Sequence, residues 1–325
     1  MQSSVYNQST FLVFKTAYLY YFQDKSQNEI ADILNISIST VSRLIKKAKQ
    51  DGIVEFVIRN PYMDCLEMEE QIKNSFNLKD VIVVPPMKEL GNLVENKANM
   101  RKLVALEGAR YVQRIITEKD VLGLSWGQTM YELIQYLNPC QKVNASFVTM
   151  HGSLSGCHPD LDVMALGARI SMAFGGQNYS LLAEGLMSNS RTVDSIKAEK
   201  YVSMIYEMFK HISISLSSVG AFSPNVDSLL YKQGGYLLDN EILELKKKSA
   251  VGDISLRFID GQGKECSTSL KHRTIGIELD VFKKIKTKIL VASGVSKVYA
   301  LKGVLTGGLT DILIIDHALG KAVLS

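Results

Sequence analysis

The pattern of apolar and polar positions changes character once along this chain, near residue 60. Before that point apolar residues recur at helical spacing. Residues 11–22, 27–34 and 37–50 each read as a helix. Gly52 stops the third helix, and residues 53–58 read as a β-branched strand. Asn60-Pro61 then makes a natural boundary. From about Asp80 onward, short apolar runs alternate with helical patterns. The runs at 81–84, 120–124, 145–150, 179–182, 212–216, 253–258, 288–292 and 311–315 predict strands. Helical patterns at 92–116, 129–137, 162–174, 199–209 and 296–305 fall between many of them. This alternation predicts a doubly wound α/β domain, a mainly parallel sheet with helices on both faces. The expected organisation is a small helical domain over residues 1–58 and a larger α/β domain over 59–325, in keeping with a length of 325 residues.

The second and third helices carry the strongest signal. Ala31 is a small residue where a second helix must approach closely, and Leu34, Ile36 and Val41 supply an apolar wedge. Ser37 is placed to cap the third helix. Val41, Leu44, Ile45 and Ala48 share one buried stripe. Ser39, Ser42, Arg43, Lys46 and Gln50 lie on the opposite face. That face sets short hydroxyls near the helix start and long cations further along, which suits a recognition helix in a DNA major groove. Arg43, Lys46, Lys47 and Lys49 put four cations in seven residues. The DNA-reading candidates are Ser37, Ser39, Thr40, Ser42, Arg43, Lys46 and Lys47. A plain amphipathic hairpin with a solvated basic face is the competing reading.

Composition adds little to this. Net charge is +4, a mild bias that matters only where it is concentrated. The four cysteines, Cys65, Cys140, Cys157 and Cys266, are far apart and form no CxxC pair. They predict reduced thiols and a cytoplasmic protein rather than a disulfide framework. No apolar run approaches the ~18 residues that span a bilayer, so no membrane partner is expected. Lys246 to Lys248 read as a solvated helix end.

In the larger domain, Gly123-Leu124-Ser125-Trp126-Gly127-Gln128-Thr129 follows a predicted strand and opens a predicted helix. A glycine- and hydroxyl-rich loop at a helix N-terminus offers free N–H groups and a positive dipole end, a geometry that binds phosphate. It is neither a P-loop nor a dinucleotide fingerprint, and a tight βα turn would look similar. Lys297 falls at a predicted helix start, where a cation opposes the helix dipole unless an anion is present. His151 could hydrogen-bond a sugar hydroxyl. Its loop also carries Cys157, His158 and Asp160, but without the spacing of a known metal site. Neither a metal nor a cofactor is expected.

The stretch from Gln27 to Ile58 resembles the DNA-binding module of the SorC family of sugar-responsive transcriptional regulators. Ile38 stands where that family often has a basic residue. Gly123–Thr129 resembles the family's glycine-serine-tryptophan-glycine loop. Val251-Gly252-Asp253-Ile254 with Arg257-Phe258-Ile259-Asp260 resembles a second signature. Ser293-Gly294-Val295-Ser296-Lys297 resembles a third, where the family often shows two glycines. The resemblance implies a sugar-phosphate-isomerase-like effector domain whose loop at Ser125–Thr129 holds a phosphate, with Asp253 and Lys297 near the sugar. The effector-site candidates are Gly123, Ser125, Trp126, Gly127, Gln128, Thr129, His151, Asp253 and Lys297. The implied function is control of a carbohydrate operon by a phosphorylated sugar or polyol. The implied partners are operator DNA with an inverted repeat and further copies of the chain, as a tetramer. The competing function is a sugar-phosphate isomerase carrying a DNA-binding module, with Asp253 or His151 as its base.

Overall fold

The computed structural model describes residues 8–56, 62–86, 96–140, 142–156, 158–231 and 236–325. The chain divides into two compact units, Met1–Arg59 and Asn60–Ser325.

Among the described residues, the first unit holds three helices: α1 (Gln8–Tyr21), α2 (Gln27–Leu34) and α3 (Ile38–Gln50). A capping box starts α2: the Ser26 hydroxyl accepts the Glu29 N–H, and the Glu29 carboxylate accepts the Ser26 N–H. Asn35 ends α2 in the left-handed conformation, φ +51°, which turns the chain sharply into Ser37. Ser37 caps α3 by accepting the Thr40 N–H at 3.2 Å. Ile30, Ala31, Val41 and Ile45 are buried together with Leu19 of α1. Full burial of Ile30 or Val41 stabilises the unit by roughly 1.5–3 kcal/mol each.

The expected strand after α3 does not form. Gly52 adopts φ +67°, and the N–H groups of Ile53 and Val54 both donate to the Ala48 carbonyl. This closes the end of the helix and folds Ile53 and Val54 back onto Val13, Ala17 and Ala48. Residues 57 and 58 of that expected strand lie outside the described residues.

In the second unit, α4 (Tyr62–Phe76) leads into β1 (Asp80–Val84). There follow α5 (Lys97–Ile115), β2 (Val121–Leu124), α6 (Gln128–Gln135), β3 (Ser146–Thr149), α7 (Val163–Phe174) and β4 (Gln177–Tyr179). After α8 (Ser190–Ala198) and α9 (Lys200–Phe209) come β5 (Ile214–Ser217), β6 (Gly220–Ala221), α10 (Asp239–Lys247), β7 (Ala250–Ile254) and β8 (Arg257–Asp260). The chain closes with α11 (Leu279–Lys283), β9 (Thr287–Ala292), α12 (Val298–Thr306), β10 (Ile312–Asp316) and α13 (His317–Leu324).

Among the described residues, seven strands form one parallel sheet in the order β1-β10-β9-β5-β2-β3-β4. Its two faces are covered separately. Val104, Ala109, Met130, Leu133, Leu166 and Phe174 of α5, α6 and α7 pack on one. Met68, Ile205, Leu301 and Leu319 of α4, α9, α12 and α13 pack on the other. Strands this deeply buried on both sides need the near-continuous Val/Ile/Leu runs that the sequence shows. The small antiparallel sheet β6-β7-β8 corrects the expected single strand at 253–258. There the chain reverses at Ser255 and Leu256, whose φ angles are +50° and +62°.

Candidate functional site

From β2 the sheet runs outward through β3 to β4, then resumes on the other side of β2 with β5 and β9. Ligands in open α/β sheets bind beyond the strand carboxyl ends at such a switch point. A cleft of about 280 Å³ lies there, lined by the loop after β2, the segment after β5, the β7–β8 turn, the segment after β9 and the start of α5.

Ser125, Trp126, Gly127, Gln128, Thr129, Asp253 and Lys297, all expected at the effector site, line this cleft. Gly127 is the N-cap of α6, at φ +111°, and brings no side chain to cap the helix. The N–H groups of the loop are not all free, contrary to expectation. Ser125 donates to the Leu216 carbonyl, Gly127 to the Leu161 carbonyl and Trp126 to His151. The donors left at this helix N-terminus are therefore those of the first turn of α6, not of the loop before it. Trp126 is half-buried, edge-on to Tyr236 with ring centroids 5.6 Å apart.

Two expected residues do not reach the cleft. Gly123 is a packing glycine: a Cβ there would come within 2.8 Å of Met150 and 2.9 Å of Ile212. His151 is fully buried beneath the loop and has no exposed nitrogen to offer a sugar. Its Nδ1 pairs with the Gly152 carbonyl at 2.8 Å, and its Nε2 accepts the Trp126 N–H at 3.2 Å. These partners require the neutral ring protonated on Nδ1, and burial pushes its pKa down to about 4.

Asp253 is buried, and its carboxylate accepts the Tyr231 hydroxyl at 2.8 Å. Burial raises its pKa to about 6, against the lowering pull of the Tyr231 hydrogen bond. Lys297 is buried too and donates to the Val219 carbonyl at 2.6 Å. Desolvation lowers its pKa, while Asp227 and Asp253 act in the opposite direction.

The structure adds cations that the sequence reading missed. Lys97 and Arg101 reach the cleft from α5, one turn apart. Lys97 pairs with Asp227 at 2.8 Å, and Asp227 also accepts the Ser296 hydroxyl. Arg101 holds Glu132 of α6 through two bonds of 2.9 and 2.8 Å, and Gln128 donates to the same carboxylate at 3.1 Å. Arg257, in the second signature, is structural. It is 1 % exposed and donates at 2.8 Å to the carbonyls of both Ile277 and Gly276, with Glu265 at 3.2 Å.

In the first unit, Ser37, Ser39, Arg43, Lys46 and Lys47 of the candidate DNA face are exposed, and Thr40 and Ser42 are half-buried. The Ser37 hydroxyl lies 2.9 Å from that of Ser39 and 2.8 Å from that of Thr40, and Arg43 donates to Thr40 at 3.3 Å.

A family model described as "Putative sugar-binding domain" matches residues 60–325, and one for region 4 of sigma-70 matches residues 18–50, across α2 and α3. The chain is 31 % identical to the deoxyribonucleoside regulator of Bacillus subtilis over 97 % of both proteins. It is 26 % identical to the sorbitol operon regulator of Klebsiella pneumoniae over 96 % of this chain and 97 % of that one. The chain belongs to the SorC family of sugar-binding transcriptional regulators. The full-length SorC structure from Klebsiella pneumoniae superposes with a TM-score of 0.74 over 97 % of this chain and 99 % of that one, at 24 % identity. A transcriptional regulator from Streptococcus pneumoniae TIGR4 gives a TM-score of 0.72 over 82 % of this chain and 98 % of that one, at 25 % identity. As a SorC-family member the chain is a sugar-responsive DNA-binding regulator, with a helix-turn-helix at its N-terminus and a parallel-sheet α/β domain after it.

Proposed function

We propose that this chain controls a carbohydrate-utilisation operon by reading operator DNA with α3 and responding to a phosphorylated sugar or polyol held in the cleft. The observation that carries the phosphate is the uncapped N-terminus of α6, set in one cleft with Lys97, Arg101 and Lys297. An uncapped first turn presents free N–H donors and a partial positive charge. Asp253 and the hydroxyls around it supply the polar partners that a sugar needs. On α3, Ser37, Ser39, Thr40 and Ser42 would meet base edges, and Arg43, Lys46 and Lys47 the phosphates.

One recognition helix reads only a few base pairs, so useful affinity needs paired half-sites. A homotetramer in the cytoplasm acting on an inverted repeat satisfies that need. The test is fluorescence anisotropy on DNA from upstream of the chain's own operon, with and without sugar phosphates. Operator binding unchanged by every pentose and hexose phosphate would sink the proposal.

One observation favours a sugar-phosphate isomerase instead: Asp253, raised to about 6, sits where a general base would act. The regulator names of the relatives support the non-enzymatic reading. Turnover of ribose 5-phosphate or glucose 6-phosphate would reverse that preference.

A further inference from the structure

Three serine hydroxyls at the cleft have no hydrogen-bond partner among the described residues: those of Ser218, Ser255 and Ser293. They come from three separate segments, after β5, between β7 and β8, and after β9. Ser255 is 4 % exposed and Ser293 is 3 % exposed. Buried hydroxyls are nearly always satisfied, and an orphan asks for a cause. Of seven such buried atoms among the described residues, three converge here, which points to a partner that enters from the cleft.

Ser255 carries a second mark. It and Leu256 are the central residues of a two-residue hairpin, both at positive φ, where asparagine and glycine are preferred. Such strain persists only where the surroundings over-determine it. They do so here: Leu256 is fully buried in an apolar cluster with Leu154, Phe222 and Phe258. The turn thus holds the Ser255 hydroxyl at the cleft wall.

We propose that Ser218, Ser255 and Ser293 form a hydroxyl-reading edge that selects a polyhydroxylated carbon chain attached to the phosphate. This rests on the cleft being the effector site. A serine hydroxyl both donates and accepts, so it matches the hydroxyls or carbonyl of a sugar. Inorganic phosphate, seated at α6, has no chain to reach it.

The test is calorimetric titration of the parent, Ser255→Ala and Ser293→Ala with inorganic phosphate, ribose 5-phosphate, 2-deoxyribose 5-phosphate and glucitol 6-phosphate. In the parent, at least one sugar phosphate binds ten times tighter than inorganic phosphate. Each variant weakens that sugar phosphate about five- to fiftyfold and changes inorganic phosphate less than twofold. The ligand-free variants melt at or above the parent's temperature, because removing an orphaned hydroxyl relieves the folded state. Three outcomes overturn the proposal while leaving the phosphate site standing. These are unchanged sugar-phosphate affinity, an equal loss for inorganic phosphate, and a lowered melting temperature. If the parent binds none of the four ligands, the reading of the cleft itself falls, and the proposal with it.

Discussion

The backbone N–H of Trp126 donates to Nε2 of His151 at 3.2 Å. This bond ties the loop before α6 to a buried imidazole, so His151 shapes that loop from behind rather than lining the cleft. Its tautomer matters, because a proton on Nε2 would turn the acceptor into a second donor facing an N–H.

Two buried groups of the cleft region, His151 and Asp253, give opposite pH responses. His151 has its pKa pushed from 6.5 to about 4 by burial. The unfolded chain therefore takes up this proton first, and the stability His151 contributes is lost as pH falls from about 6.5 to 4. Asp253 is raised from 3.8 to about 6. The folded chain takes up that proton first, so its contribution grows as pH falls from about 6 to 4. Each effect amounts to about 3 kcal/mol. Urea melts at pH 7, 6, 5 and 4 should show the parent losing stability relative to His151→Gln on acidification. Relative to Asp253→Asn, the parent should gain. Parallel curves for either pair would contradict the stated burial of that group.

Arg257 should behave as a structural cross-link despite lying in the same sequence signature as the cleft residue Asp253. It bonds two carbonyls and Glu265 from within the core. Arg257→Leu leaves the two buried carbonyls unpaired and Glu265 with Lys271 alone, a loss of about 3–5 kcal/mol. Thermal melting checks this, and a variant as stable as the parent would show that Arg257 is not a structural cross-link.

Much of this was legible in the sequence, and the exceptions have physical causes. The strands of the large sheet are apolar runs buried on both faces, so they stand out without knowledge of their order. The hairpin at Ser255-Leu256 did not, because neither residue is a usual left-handed turn former; tertiary packing of Leu256 imposes the turn. Lys97 and Arg101 were missed because the helix that carries them was expected to start at residue 92. Asn96 caps it instead, by accepting the Asn99 N–H at 2.8 Å, which puts Lys97 in the first turn. A cation there opposes the helix dipole, the same signal that singled out Lys297. Nothing local distinguished the buried His151 from a ligand-facing one. Only the fold shows that both its nitrogens are engaged.

On the DNA side, Arg43→Ala and Lys46→Ala should weaken operator binding and leave the fold intact. Both side chains are exposed on α3, opposite the buried Val41, Ile45 and Ala48. A base contact is worth roughly 1–3 kcal/mol, and a phosphate contact lowers the salt slope by about one. Anisotropy titrations at several salt concentrations measure both. If neither variant differs from the parent at equal salt, α3 is not the reading helix.

The last prediction concerns the signal from cleft to DNA. A phosphorylated sugar should change operator affinity, and its neutral parent should not, because the first turn of α6 and its neighbouring cations favour a dianion. A ligand shifts the two states only by its difference in affinity for them. Coupling of about 1–3 kcal/mol is the usual range, and it is reciprocal, so operator DNA should change effector affinity by the same factor. Gly127 offers a direct probe. A Cβ there would meet nothing within 4 Å, so the protein leaves the space open to the cleft. At φ +111° any side chain is strained. Gly127→Ala carries that strain with one small methyl, while Gly127→Val adds bulk over the first-turn donors. Valine should abolish the response and leave operator affinity at its ligand-free value, while alanine should retain part of the response. A valine variant that responds fully to the sugar phosphate would place the sensor elsewhere.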